Sequence, residues 1–234
     1  MYKAIYYEII RVKRLIDLKK QNFMKETFSI KEALQTGWQT FKEKYWFLMG
    51  VTLIIMLVPF LTSTVAEQFQ GALSAGISLV DFALQTFIGM GLTFIILAVY
   101  SKKDVGFKDW LTPAPLFLKY LAVSILSIIA TIGGFILFIL PGFILMAGLM
   151  FATYLVVDKQ LGPVDAIKKS WSISKGYKLK LIGFILVILL INLLGIIALL
   201  VGLLVTIPVT LLATVHVYRI LLKRSEAQGN LANE

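Results

Sequence analysis

Two stretches of this chain, residues 120–157 and 181–218, each run for 38 residues without a Lys, Arg, Asp or Glu. At 1.5 Å per residue either would make a helix of about 57 Å, nearly twice the ~30 Å hydrocarbon core of a bilayer. One spanning helix per run is too long; two helices folded back on each other fit. Two shorter uncharged runs precede them, 45–66 and 82–100, each of the length of one span. Only 15% of the 234 residues are charged, against roughly 25% in a soluble domain, and the apolar residues come in blocks.

These runs predict an all-α integral membrane protein with six spans at about 45–66, 79–100, 116–140, 143–157, 181–200 and 203–222. The first 24 residues lack the apolar core of a cleavable signal, so the first span is expected to act as the insertion signal. Pro141-Gly142 reads as the turn between the third and fourth spans, and Gly202 as the turn between the fifth and sixth. The fourth span is then short. Pro59 is expected to kink the first span or mark its outer end, and Pro208 to kink the last. A loop is expected over 67–78, and a polar, disordered tail over 223–234.

Charge gives the orientation. Of the 23 Lys and Arg, ten precede Tyr45, four lie in 101–119, six in 158–180 and three at Arg219, Lys223 and Arg224. None falls in 67–78 or at the two predicted turns. With six spans every basic residue is on one side, which the positive-inside rule makes cytoplasmic, together with both termini. The same rule accounts for the net charge of +10 without nucleic acid, for which no binding motif is present.

The connectors have a pattern of their own. Residues 1–28 read as a basic amphipathic extension, with Ile5, Ile9, Val12 and Ile16 opposite Arg11, Lys13 and Arg14. Residues 29–45 predict a second amphipathic helix, capped by Ser29 with Glu32 three residues on. The connector 162–183 predicts a third, opened by Gly162-Pro163 and stopped by Gly176. The last two superpose at a constant offset of 133: Glu32-Ala33-Leu34, Gly37-Trp38 and Lys42 match Asp165-Ala166-Ile167, Ser170-Trp171 and Lys175. The middle connector keeps a trace, Asp104 standing six residues before Trp110 as Glu32 does before Trp38. The expectation is a pseudo-threefold internal repeat: three hairpins, each preceded by a cytoplasmic amphipathic segment. Lying on an anionic leaflet, these segments would place Trp38, Lys42, Trp110, Lys168, Lys169, Trp171, Lys175 and Lys178 among lipid headgroups. Topology alone also accounts for the lysines, which would then only set orientation.

Pro141-Gly142, Val157-Asp158-Lys159, Gly162-Pro163, Asp165-Ala166, Ser170-Trp171, Ser174-Lys175-Gly176, Gly183, Pro208 and Tyr218 together form a pattern that resembles the membrane domain attached to some glycerophosphoryl diester phosphodiesterases, and related multi-spanning bacterial and archaeal membrane proteins of unknown function. The resemblance covers about 133–222. It implies a six-helix membrane module concerned with lipids or membrane-localised substrates. The phosphodiesterase domain would need a barrel of about 250 residues, and twelve residues follow Leu222; that activity is not implied here.

No catalytic constellation is evident. With no Cys and one His, neither a Cys-ligated metal nor a multi-histidine site is available within one chain. No cofactor is expected, and the chain reads as non-enzymatic. Polar residues in the apolar runs are few. Asp81 is expected at the outer interface. Gln85 and Asn192 are expected to bond between helices, and His216 to bond a neighbouring carbonyl near the cytoplasmic end. The leading reading is a multi-pass cell-membrane protein that binds anionic inner-leaflet lipid or a membrane-protein partner. A transporter or channel for a small or amphiphilic substrate is a second reading, and a protective factor against a membrane-active agent a third.

Overall fold

The computed structural model describes residues 11, 28–66, 72–198 and 201–232 and is helical throughout, with no strand among the described residues. The expected extension at 1–28 falls outside them, except for Arg11 and Phe28. Helices α1 (Ile30–Glu43), α2 (Tyr45–Ala66) and α3 (Ala72–Tyr100) lead into two 3-10 turns at Phe107–Leu111 and Ala114–Leu116. Helices α4 (Phe117–Leu137), α5 (Ile139–Leu149), α6 (Ala152–Lys159), α7 (Pro163–Ile173), α8 (Lys178–Ile197) and α9 (Leu203–Ala232) follow. Among the described residues six helical stretches are long and apolar enough to cross a membrane: 45–62, 73–100, 107–137, 139–159, 178–197 and 203–228.

Three boundaries differ from the sequence expectation, each for a physical reason. The turn between the third and fourth spans is at Phe138, whose backbone is extended, three residues before Pro141. A continuous helix would drive the Pro141 ring into the Leu137 carbonyl, four residues back, so the break must precede Pro141. Pro141 then sits in the first turn of α5, where a missing N–H costs nothing. Gly142 serves packing rather than turning: a Cβ there would overlap the Phe135 ring. The fourth span accordingly begins at Ile139 and is not short; it is divided into α5 and α6 by a break at Met150–Phe151.

Second, α3 starts at Ala72, so the described part of the expected loop is helical; Ser78 Oγ donates to the Ser74 carbonyl at 2.9 Å, within the helix ladder. Pro59 lies inside α2, which continues to Ala66, so it does not mark that span's end, and Pro208 lies inside α9, where the sequence placed it. Third, the described part of the expected disordered tail is helical. The helix α9 runs on to Ala232, carried by good helix formers such as Glu226 and Gln228. It is pinned by Lys159–Glu226 at 3.1 Å and Lys169–Ser225 at 3.2 Å. The turn expected at Gly202 forms over Val201–Gly202, immediately before α9.

The basic segments meet one another. Lys44 pairs with Asp104 at 3.1 Å, Lys102 with Glu43 at 3.4 Å, and Arg219 with Asp158 at 2.9 Å. Lys119 donates to the Gln160 carbonyl at 3.3 Å. The core beneath them is contributed by α3, α6, α8 and α9, with Ile95, Leu155, Phe184 and Leu212 fully buried.

Candidate functional site

The connector 162–183 builds one side of the basic end. Gly162 is the N-cap of α7, with extended backbone, and Pro163 is its first residue; Gly176 stops the chain's helical course with φ +84°. Helix α7 buries Ala166, Ser170 and Ile173. This face is turned to protein, not lipid. The α5–α6 break leaves backbone groups without helix partners, and one hydroxyl serves two of them. Ser170 Oγ donates to the Gly148 carbonyl at 2.8 Å and accepts from the Phe151 N–H at 3.3 Å. Leaving such a group unmet in a dry site costs about 1–3 kcal/mol. Beside it, the Trp171 ring lies on Gly148, where an added Cβ would come within 2.5 Å of it. The Lys178 ammonium covers the ring's face. Trp171 stays 38% exposed, so it is half seat and half surface.

The other expected headgroup residues divide. Trp110 is 9% exposed, and a Cβ at Gly91 would overlap its ring. It is therefore a packing residue clamped on α3, not a headgroup contact. Trp38 is 45% exposed, stacks on Phe41 and has Lys42 over its ring at 5.8 Å. Helix α1 itself docks on protein: it buries Ala33, Gly37, Thr40 and Phe41, and a Cβ at Gly37 would sit 2.5 Å from the Val209 carbonyl oxygen. Lys168 and Lys175 are exposed, while Lys169 reaches Ser225.

Between the turn after α7 and the distal part of α9 lies a cavity of about 280 Å³. Its lining includes Ser172, Lys175, Tyr177, Arg224, Ser225 and Gln228, and the described lining holds no carboxylate. The Arg224 guanidinium lies 4.8 Å from the Tyr177 ring centroid. Two cations, two hydroxyls, a phenol and an amide surround a space that suits an anion with further polar groups attached. Arg224 lies six residues, about 9 Å, beyond Tyr218, the last residue of the uncharged run.

Sequence reasoning missed the polar lock under this end. Arg219 donates to both Asp158 oxygens, at 3.0 and 2.9 Å, and Tyr218 Oη donates to Asp158 Oδ2 at 2.8 Å. The Asp158 side chain is only 14% exposed, so the pairing is a condition of its burial. Tyr100 Oη, on α3, bonds His216 Nδ1 at 2.9 Å, and His216 Nε2 has no partner among the described residues. His216 was expected to bond a carbonyl; the phenol takes that place because α3 runs alongside α9. Asp158 and Arg219 are the first charged residues after the two 38-residue runs, a signal that each ends at the same depth.

The remaining intramembrane candidates lie apart. Asn192 Nδ2 donates to the Ile188 carbonyl at 3.1 Å and reaches Thr210 Oγ1 at 3.4 Å, joining α8 to α9. Gln85 Nε2 reaches Asp81 Oδ1 at 3.2 Å and Thr62 Oγ1 at 3.4 Å, joining α3 to α2. Compared with known proteins, the chain matches no family model, no curated protein and no solved structure.

Proposed function

We propose that this chain is a non-enzymatic, six-span protein of the cell membrane whose basic end faces the cytoplasm and binds the headgroups of anionic lipids. The observation that carries the reading is the 280 Å³ cavity with Lys175 and Arg224 in its wall and no described carboxylate. Exposed Lys168 and half-exposed Trp171 on the adjoining helix extend it as a surface. A tryptophan at this level suits a zone that is apolar on one side and wet on the other.

The architecture in this proposal is three hairpin units in a ring. Each connector grips the second span of the unit before it. Trp110 grips α3 at Gly91, Trp171 grips the fourth span at Gly148, and α1 closes the ring on α9 at Val209 and Ala213. The 133-residue offset between the first and third connectors supports the same repeat.

The test is lipid retention. Protein extracted from membranes containing phosphatidylglycerol should carry that lipid, and its affinity for vesicles of 30% phosphatidylglycerol in phosphatidylcholine should exceed that for phosphatidylcholine alone. A lysine near an anionic surface is worth about 1 kcal/mol, so K168Q/K169Q/K175Q should weaken the anionic component by roughly 10- to 100-fold. Unchanged binding by a folded triple variant contradicts the proposal.

A further inference from the structure

At the far side of the bundle from the basic residues, α2 and α3 enclose a groove of about 630 Å³, within the range of small-molecule sites. Leu61, Leu73, Ile77, Val80 and Leu84 make its wall, and Asp81 is set among them. Gly76 also lines it, and the space beside it is empty: an added Cβ there would meet nothing within 4 Å. Asp81 lies 19 residues from Tyr100, about 29 Å along α3, so the groove opens near the other edge of a ~30 Å hydrocarbon core.

The charge of Asp81 is not answered locally. Its described hydrogen-bond partner is the Gln85 amide, a neutral donor, which also reaches Thr62. No Lys or Arg occurs anywhere between Tyr45 and Tyr100, so neither α2, α3 nor the segment joining them supplies a cation. Ionisable side chains within a membrane span usually pair with an opposite charge, and the described residues give Asp81 none. The groove is thus complementary to one chemistry, an aliphatic chain carrying a positive head. An anionic amphiphile would set its head against Asp81, and a neutral one would leave the carboxylate unpaired.

We infer that the α2–α3 groove binds a cationic amphiphile, its chain along Leu61, Ile77 and Leu84 and its ammonium on Asp81. The site is independent of the lipid-headgroup surface at the other end. The test uses the full chain in phosphatidylcholine nanodiscs with three twelve-carbon probes below their micellar concentrations: dodecyltrimethylammonium, dodecyl sulfate and dodecyl maltoside. The unmodified protein should bind the ammonium probe at least tenfold more tightly than the other two. Asp81→Asn should abolish that preference and Asp81→Glu should keep it. Gly76→Phe, which fills the groove, should remove saturable binding of the ammonium probe. Equal affinity of the unmodified protein for the three probes overturns the inference without any variant. So does an unchanged preference in folded Asp81→Asn.

Discussion

Helices α1 and α7 share a sequence pattern and use it differently. At the position before the tryptophan, α1 has Gly37 and α7 has Ser170. Gly37 lets the α1 backbone settle against the Val209 carbonyl and the Ala213 amide of a helix that is unbroken there. Its tryptophan, Trp38, is left on the outside. Ser170 instead meets a helix with a break, and its hydroxyl supplies the two hydrogen bonds that the break removes. Trp171 is drawn in onto Gly148. One amphipathic pattern therefore serves two modes of docking, chosen by the partner helix. In neither is the helix's buried face given to lipid; what remains for lipid is the outer rim of lysines and half-exposed indole.

Substitutions at Gly37, Asp158 and Ser170 break the comparison, the largest expected effect first. Gly37→Leu places a side chain where backbone already lies, and backbone cannot rotate away. It should destabilise by about 3 kcal/mol, the upper end for overpacking, read as a shift in the SDS unfolding midpoint. The equivalent change at Ser170, to Leu, should also destabilise, since its pocket is fully buried.

Asp158→Asn attacks the link between the two docking helices, because Asp158 lies on α6 beside α7 and Arg219 on the α9 that holds α1. Losing one member of a buried ion pair costs 3–5 kcal/mol when the other is fully buried. Arg219 keeps 32% exposure, so about 2 kcal/mol is expected, with a single amide oxygen left to accept from both Arg219 and the Tyr218 hydroxyl. Hydrogen exchange should then rise at the basic ends of both α6 and α9. An increase confined to one of them would show that the pair does not couple the two.

Ser170→Ala removes both hydrogen bonds at the break while leaving the volume nearly filled, for about 1–2 kcal/mol. Gly37→Ala is the informative counterpart. If the two connectors docked alike, it would be as mild; on this account it is the worse of the two, because its added Cβ meets main chain.

The spans were legible because lipid imposes a simple rule, long uncharged runs with cations held to one side, and the helix limits at Ser29, Gly162-Pro163 and Gly176 followed from local chemistry. The α4–α5 turn was misjudged because Pro-Gly has two uses. Pro141 starts a helix and Gly142 admits a ring, and only the neighbour, Phe135, decides between them. Trp110 was misread for a related reason: an indole near a basic connector looks interfacial until Gly91, on another helix, provides its seat. The Asp158–Arg219 pair joins residues 61 apart and has no local periodicity to announce it. The groove at Asp81 required knowing that α3 begins at Ala72, which places the carboxylate within a helix rather than at its edge.

Because the chain has no cysteine, its membrane arrangement can be read one introduced thiol at a time. Lys175→Cys, at the basic cavity, and Ala75→Cys, on the exposed distal turn of α3, should be treated in intact cells with an impermeant maleimide. The account predicts that Ala75→Cys is labelled from outside and that Lys175→Cys reacts only after the membrane is permeabilised; labelling of Lys175→Cys in intact cells would contradict it.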